Sequence, residues 1–308
     1  MSDRIRLLLQ SFLMLFVELA LIRWSGSNVI YLSYFSNFVL LGSFLGIGLG
    51  FLRSGRTEKD WSGYAPIGLG LFVLLISVFP VTLSKDDPSL FTFSTYTPKG
   101  PPREVMLAVI FVMVAAVMML LGEAVARTFK RLENLDAYKW DILGSISGII
   151  GFTVVSFLRL PPLAWGIVAF AVWFIIDLGL QRARWLRGAQ VAGLLVLLVV
   201  LGIESFQANT SWSPYYKITA TPEKALGGNL KIDVNGVPHQ SHQSYEFAPG
   251  KGVYQVAKPG NLDDVLVIGS GGGNDVAVAL HNGAKHVDER SEERRVGKEC
   301  RSRWSPYH

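Results

Sequence analysis

The chain has 308 residues, 50% of them hydrophobic and 17% charged, and a mean hydropathy of +0.34, which is high for a soluble protein. One cysteine, Cys300, excludes a disulfide framework within the chain and a cysteine-based zinc site. The net charge is +5, but residues 290–308 contribute +3 of it, so the balance gives no nucleic-acid signal.

The long apolar runs lie almost entirely before Glu204. Seven segments, 7–22, 29–52, 64–83, 105–121, 140–157, 163–180 and 189–203, are long enough or nearly so to cross a bilayer as helices. Seven such runs in series predict a multi-pass α-helical membrane domain of about seven helices over residues 1–204. The first run follows Arg4 and Arg6 and has no small-residue cleavage site after it, so it reads as a retained helix. The runs at 140–157 and 189–203 are the marginal ones by length.

Gly42, Gly46 and Gly50 recur every four residues, as do Gly144 and Gly148. Such stripes let helix backbones approach closely in lipid. Polar residues at depth are Glu18 and Asn37, with Glu123, Asp141 and Asp177 near helix ends. Glu18 lies five residues before Arg23, so it is expected to pair or reach an interface; a transport or substrate role is the alternative. Glu123 and Arg127 form a favourable i,i+4 pair.

With the N-terminus inside, the inner loops hold twelve Lys/Arg and the outer loops five, which favours that orientation. Seven crossings then place the rest of the chain outside. Either one crossing is miscounted or the C-terminal part faces outward.

After Glu204 the texture changes. Residues 205–262 read as a small β-rich layer, in which 229–237 alternate with period two around Asn235-Gly236, a strong hairpin signal. Residues 263–289 read as the start of an α/β Rossmann-like, methyltransferase-type fold. Val265–Ile268 is predicted to be a parallel strand buried on both faces. Gly269, Ser270, Gly271, Gly272 and Gly273 form a glycine turn, and a helix begins at Asn274 and Asp275. Glycine permits positive φ and close backbone approach to a ligand, and the helix start offers free N–H groups and partial positive charge. The flanking strand and helix make this a moderately specific nucleotide-type signal.

Three stretches carry a resemblance: Trp212-Ser-Pro-Tyr-Tyr-Lys-Ile218, Asn235-Gly-Val-Pro-His-Gln240 and Val265-Leu-Val-Ile-Gly-Ser-Gly-Gly-Gly-Asn-Asp275. In this order they resemble the polyamine aminopropyltransferases, the spermidine synthase family. The branch most similar is bacterial and has a multi-span membrane N-terminus; Asp141-Ile-Leu-Gly-Ser-Ile-Ser-Gly148 also resembles its helices. The resemblance implies transfer of an aminopropyl group from decarboxylated S-adenosylmethionine to a diamine. It implies a donor or S-adenosylmethionine as co-substrate, with no tightly bound cofactor and no metal. The donor site would comprise Gly269 to Asp275, with Tyr216 and Gln240. The partners implied are the lipid bilayer and a polyamine or other amine, with a homo-oligomer open, in a bacterial inner membrane. Two departures stand out: Gly272 replaces an Asp common in the soluble enzymes, and Tyr216 replaces a donor-contacting Gln. The family's catalytic carboxylate is expected downstream of residue 289, so no catalytic residue is assigned.

Two further readings are open. The glycine turn equally suits an S-adenosylmethionine-dependent methyltransferase with a membrane-associated acceptor. Glu18 and Asn37 would suit a polyamine transporter with a ligand-sensing domain. His239 and His242 stand three apart in a Gln/Ser-rich loop, where a metal site would need further ligands.

Residues 290–308 break the pattern. Nine of the nineteen are charged, and they interrupt the strand starting at His286. The segment looks like the in-frame translation of a sequencing-library adapter, and the α/β fold is expected to be truncated there. Cys300 and the basic run are therefore set aside in reading the fold.

Overall fold

The structure is a computed structural model that describes all residues except 34, 36, 86–95, 179, 224–228, 243–262, 270–272, 291–302 and 305–308. The chain forms two compact units, Met1–Ser84 with Thr97–Ile218, and Lys85–Tyr96 with Thr219–His308.

The first unit is helical. Its long helices are α1 (Asp3–Asn28), α3 (Asn37–Arg56), α5 (Arg103–Phe129), α6 (Asn134–Phe157) and α8 (Arg184–Ser205). These five are long and apolar enough to cross a membrane. Three shorter helices accompany them: α2 (Ile30–Ser33), α4 (Ala65–Val78), entered through a 3-10 turn at Ser62–Tyr64, and α7 (Pro162–Asp177). The segments expected to be marginal, 140–157 and 189–203, thus belong to full-length helices. The short apolar helices are Ser62–Val78 and Pro162–Asp177 instead. Proline sets both beginnings, since its fixed φ and missing N–H suit a first helical turn.

The expected 29–52 helix is broken. Val29 leaves α1 in an extended conformation and makes an isolated parallel bridge to Val81. α2 follows, and α3 begins only at Asn37. Leu83 likewise lies outside its helix, in the short strand β1 (Thr82–Lys85), which pairs with β2 (Tyr96–Lys99).

α1 is the core of this unit, and Leu7, Phe16 and Leu21 are among its buried residues. It packs on α6 through the second glycine stripe: a β-carbon on Gly144 or Gly148 would strike the main chain of Leu8 or Phe12. α3 packs on α5 the same way, with Gly46 against Ala115 and Gly50 against Met119 and Glu123. The helices run in alternation. Arg4 meets Asp136 at 2.6 Å and Arg127 donates to the Thr57 carbonyl at 2.9 Å, which gathers the α1, α5 and α6 termini near the end of α3. Trp24 donates to Glu204 at 2.5 Å at the other end, so Asp3 and Ser205 lie at opposite ends of the bundle.

A four-stranded sheet has the order β3 (Thr210–Trp212), β4 (Lys217–Glu223), β5 (Asn229–Val234), β6 (Val237–His242). β5 and β6 form the expected hairpin, with Val234 opposite Val237. Asn235 and Gly236 both take positive φ, 51° and 76°, as a two-residue primed turn requires. In the second unit β7 (Asp264–Ile268) and β8 (His286–Arg290) are parallel, joined through α9 (Asn274–His281). The two-residue strand β9 (Arg303–Trp304) pairs antiparallel with β8. β8 therefore continues through Glu289 to Arg290 and is not cut at Asp288, since main-chain pairing with β7 is indifferent to side-chain charge.

Candidate functional site

The strand–turn–helix–strand arrangement read from the sequence is present. Val267, Val276, Ala284 and Val287 form a small core that fixes α9 against β7 and β8. Parallel pairing sets Ile268 beside Arg290 and Val267 beside Glu289, so the glycine turn and the end of β8 share one edge.

Gly269 and Gly273 flank the turn with φ of 75° and 80°. This left-handed region is costly for residues with a β-carbon, by about 1–2 kcal/mol. A β-carbon at either position would meet nothing within 4 Å. Glycine is thus favoured here by conformation, and among the described residues nothing crowds the backbone at either position. Gly273 also caps α9: its carbonyl accepts from Ala277 N at 3.0 Å. Asn274 and Asp275 form the first turn and are half-buried. Ser270, Gly271 and Gly272 lie outside the described residues.

One expectation for β7 fails. Val267 is buried, but Leu266 and Ile268 are 56% and 76% exposed, so the strand is covered on one face only. The reason is topological: α9 covers one face of the sheet, and among the described residues no second helix covers the other.

The strand entrances are held by charge. Lys285 bonds Asp263 at 2.5 Å, and His286 N donates to the Asp263 carbonyl at 2.9 Å. The hydrogen bond and charge of Asp263 raise the Lys285 ammonium above its ordinary value of 10.5.

The other two expected site residues stand on other elements. Gln240 is half-buried in β6, opposite Ile232. Tyr216 belongs to the helical unit, in the turn between β3 and β4, where its N–H donates to Ser213 Oγ at 2.9 Å and its ring is exposed. His239 and His242 are exposed on β6, and among the described residues no group of three His, Cys, Asp or Glu gathers.

Two of the polar clusters in the helical unit are only partly legible in the sequence. In one, Glu123 is fully buried on α5; it pairs with Arg127 at 2.7 Å and Arg53 at 3.3 Å, and accepts from Trp61 N at 3.4 Å. The Glu123–Arg127 pair is the expected one; Arg53 and the loop are additions. In the other, Trp24 and Lys217 converge on Glu204, with Lys217 Nζ 2.6 Å from Oε1, while Arg23 lies over the rings of Trp165 and Trp212 at 4.6 and 5.6 Å. Arg23 donates to Ser156 Oγ at 2.6 Å and to the Ser213 carbonyl, so the anticipated Glu18–Arg23 pairing is not formed. The i,i+5 offset turns the two side chains away from a common helix face, which favours i,i+3 and i,i+4 neighbours. Glu18 is 3% exposed, and among the described residues its Oε1 has no hydrogen-bond partner. Compared with family models, curated proteins and solved structures, the chain matches none of them.

Proposed function

We propose that this is a membrane-anchored, spermidine-synthase-like transferase that binds decarboxylated S-adenosylmethionine at the glycine turn and delivers its aminopropyl group to an amine. One observation carries the reading: a parallel strand–turn–helix–strand unit in which left-handed glycines stand at the end of β7 and at the start of α9, each with nothing among the described residues within 4 Å of where a β-carbon would lie. Main-chain N–H groups at such a helix start suit the polar parts of an adenosyl ligand. Asp288 and Glu289 on β8 are acids in the strand next to the turn, and Glu289 lies nearer its edge. The leaving group is a neutral thioether, so the step relies on positioning and on a base for the attacking amine. The five long apolar helices support an inner-membrane location.

Calorimetric titration with methylthioadenosine tests the site. Saturable binding that Gly269→Val weakens supports it, and absence of binding removes the turn from the function. Product mass then separates aminopropyl from methyl transfer. Glu18, buried with an unpartnered carboxyl oxygen, favours a second reading, transport, because an ionisable group at that depth commonly marks a pathway. Polyamine uptake into vesicles without product would select it.

A further inference from the structure

Tryptophan is unevenly placed on the helical unit. Trp24, Trp165, Trp173 and Trp212 are buried and Trp140 is half-buried, whereas Trp61 and Trp185 are 44% and 65% exposed. These two stand together. The exposed ring of Tyr64 lies 6.3 Å from each of theirs, so the segment after α3 and the first turn of α8 present three rings as one surface.

The backbone beneath the rings is fixed. Trp61 N donates to Glu123 at 3.4 Å, Arg182 Nη2 donates to Ser62 Oγ at 3.1 Å, and Gln190 Nε2 donates to the Gly63 carbonyl at 2.9 Å. Arg53 lies 4.0 Å over the Trp61 ring. Exposure of these rings is therefore built into the fold.

Charge surrounds them. Arg184 and Arg187 flank Trp185 on α8, and Arg56 and Lys59 precede Trp61. Lys130, at the end of α5, brings its Nζ within 3.5 Å of where a β-carbon on Gly55 would lie. All of these side chains are exposed, and among the described residues no carboxylate pairs with them. Of the nearby acids, Asp60 pairs with Arg182 at 3.6 Å and Glu123 with Arg53 and Arg127, which leaves the exposed Glu58 among several unpaired cations.

On the membrane reading of α3, α5 and α8, whose ends meet here, the patch stands at headgroup depth. Indoles favour that layer, being apolar in body and polar at the N–H. Guanidinium and ammonium groups find phosphodiesters there, which accept charge-assisted hydrogen bonds. A choline headgroup carries its own cation and cannot supply the missing counter-charge.

We propose that the Trp61–Tyr64–Trp185 surface is a docking site for the headgroups of anionic phospholipids, with Lys59, Arg184 and Arg187 taking the phosphates. The proposal rests on the membrane part of the function proposed above and is independent of the glycine turn.

The test places the full chain in phosphatidylcholine bilayers and adds spin-labelled phosphatidylglycerol or phosphatidylcholine with identical tails. Electron paramagnetic resonance then gives their relative association with the protein. The expected result is a preference for phosphatidylglycerol of about fivefold or more, the scale set by one basic residue at an anionic surface. It falls in about 1 M salt, where charges are screened within a few ångströms. Lys59→Gln with Arg184→Gln removes it. Arg103→Gln, an exposed cation at the far end of α5, leaves it unchanged. A headgroup spin label also quenches tryptophan fluorescence, and Trp61→Phe with Trp185→Phe removes most of that quenching. Equal association of the two lipids with the unaltered chain, an equal loss of preference in Arg103→Gln, or unchanged quenching in the double Phe variant overturns the proposal. A chain that inserts in the neutral bilayer without preferring the anionic lipid overturns the docking site and leaves the membrane reading standing; a chain that enters no bilayer overturns both.

Discussion

Gly46 on α3 faces the main chain of Ala115 on α5 so closely that a β-carbon would collide with the Ala115 carbonyl oxygen. Gly48, two residues on, faces open space. Gly46→Leu should therefore destabilise the chain by about 1–3 kcal/mol or more, because overpacking a tight contact forces backbone movement. Gly48→Leu should be near neutral. Thermal unfolding in detergent compares them, and equal losses would remove close helix approach as the role of this stripe.

Glu123 carries a buried charge held by two arginines and a backbone N–H. Removing one partner of such a set typically costs about 3–5 kcal/mol, because the remaining charges stay buried. Glu123→Ala should show that loss. Arg127→Ala should additionally free the loop that Arg127 holds through the carbonyls of Thr57 and Lys59, seen as faster proteolysis between Arg56 and Ser62.

Asp3 and Ser205 lie at opposite ends of the bundle, and the Asp3 end is the more basic. In a Cys300→Ser background, Glu58→Cys should react with an impermeant maleimide only after cells are opened. Gln207→Cys, beyond α8, should react in intact cells. Reversed labelling would invert the orientation.

Gly269 takes a left-handed φ, and among the described residues nothing lies within 4 Å of where its β-carbon would be. Gly269→Ala should cost about 1–2 kcal/mol through conformation alone. Methylthioadenosine affinity should fall with it; a stable variant with unchanged affinity would separate the turn from the ligand.

The Lys285–Asp263 pair joins the entrances of β7 and β8. Because folding raises the Lys285 value above 10.5, its stabilisation is present below about pH 10.5 and is lost as pH rises through the folded value. The pair is exposed, so the effect is small. Lys285→Met should flatten the alkaline limb of a melting-temperature profile while leaving the neutral region nearly unchanged.

The helices and the hairpin were legible because period and composition encode them locally. Asn235-Gly236 specifies its own turn, and the glycine stripes specify faces that the structure does bury. The break at Val29 was not legible: apolar residues continue across it, and the bridge to Val81 is a long-range contact. The lengths of α4 and α7 depend on prolines and chain reversals that a hydropathy window averages away. At the candidate site, the turn and its helix were visible in the glycine spacing. Exposure of Leu266 and Ile268 was not, because an apolar run does not say which neighbours will cover it. The Arg23 cluster escaped notice because its partners lie 133 and 190 residues away.

Those separations matter during synthesis. The partners of Ser11, Trp24 and Arg23 on α1 (Asp141, Glu204, Ser156 and Ser213) are translated 130 to 190 residues after them. Until then a helix carrying Arg23 must wait in the translocon or in lipid without those partners. Membrane insertion of this chain should accordingly depend on factors that shelter nascent helices, and α1 should reach its final contacts only once α8 and β3 have been made.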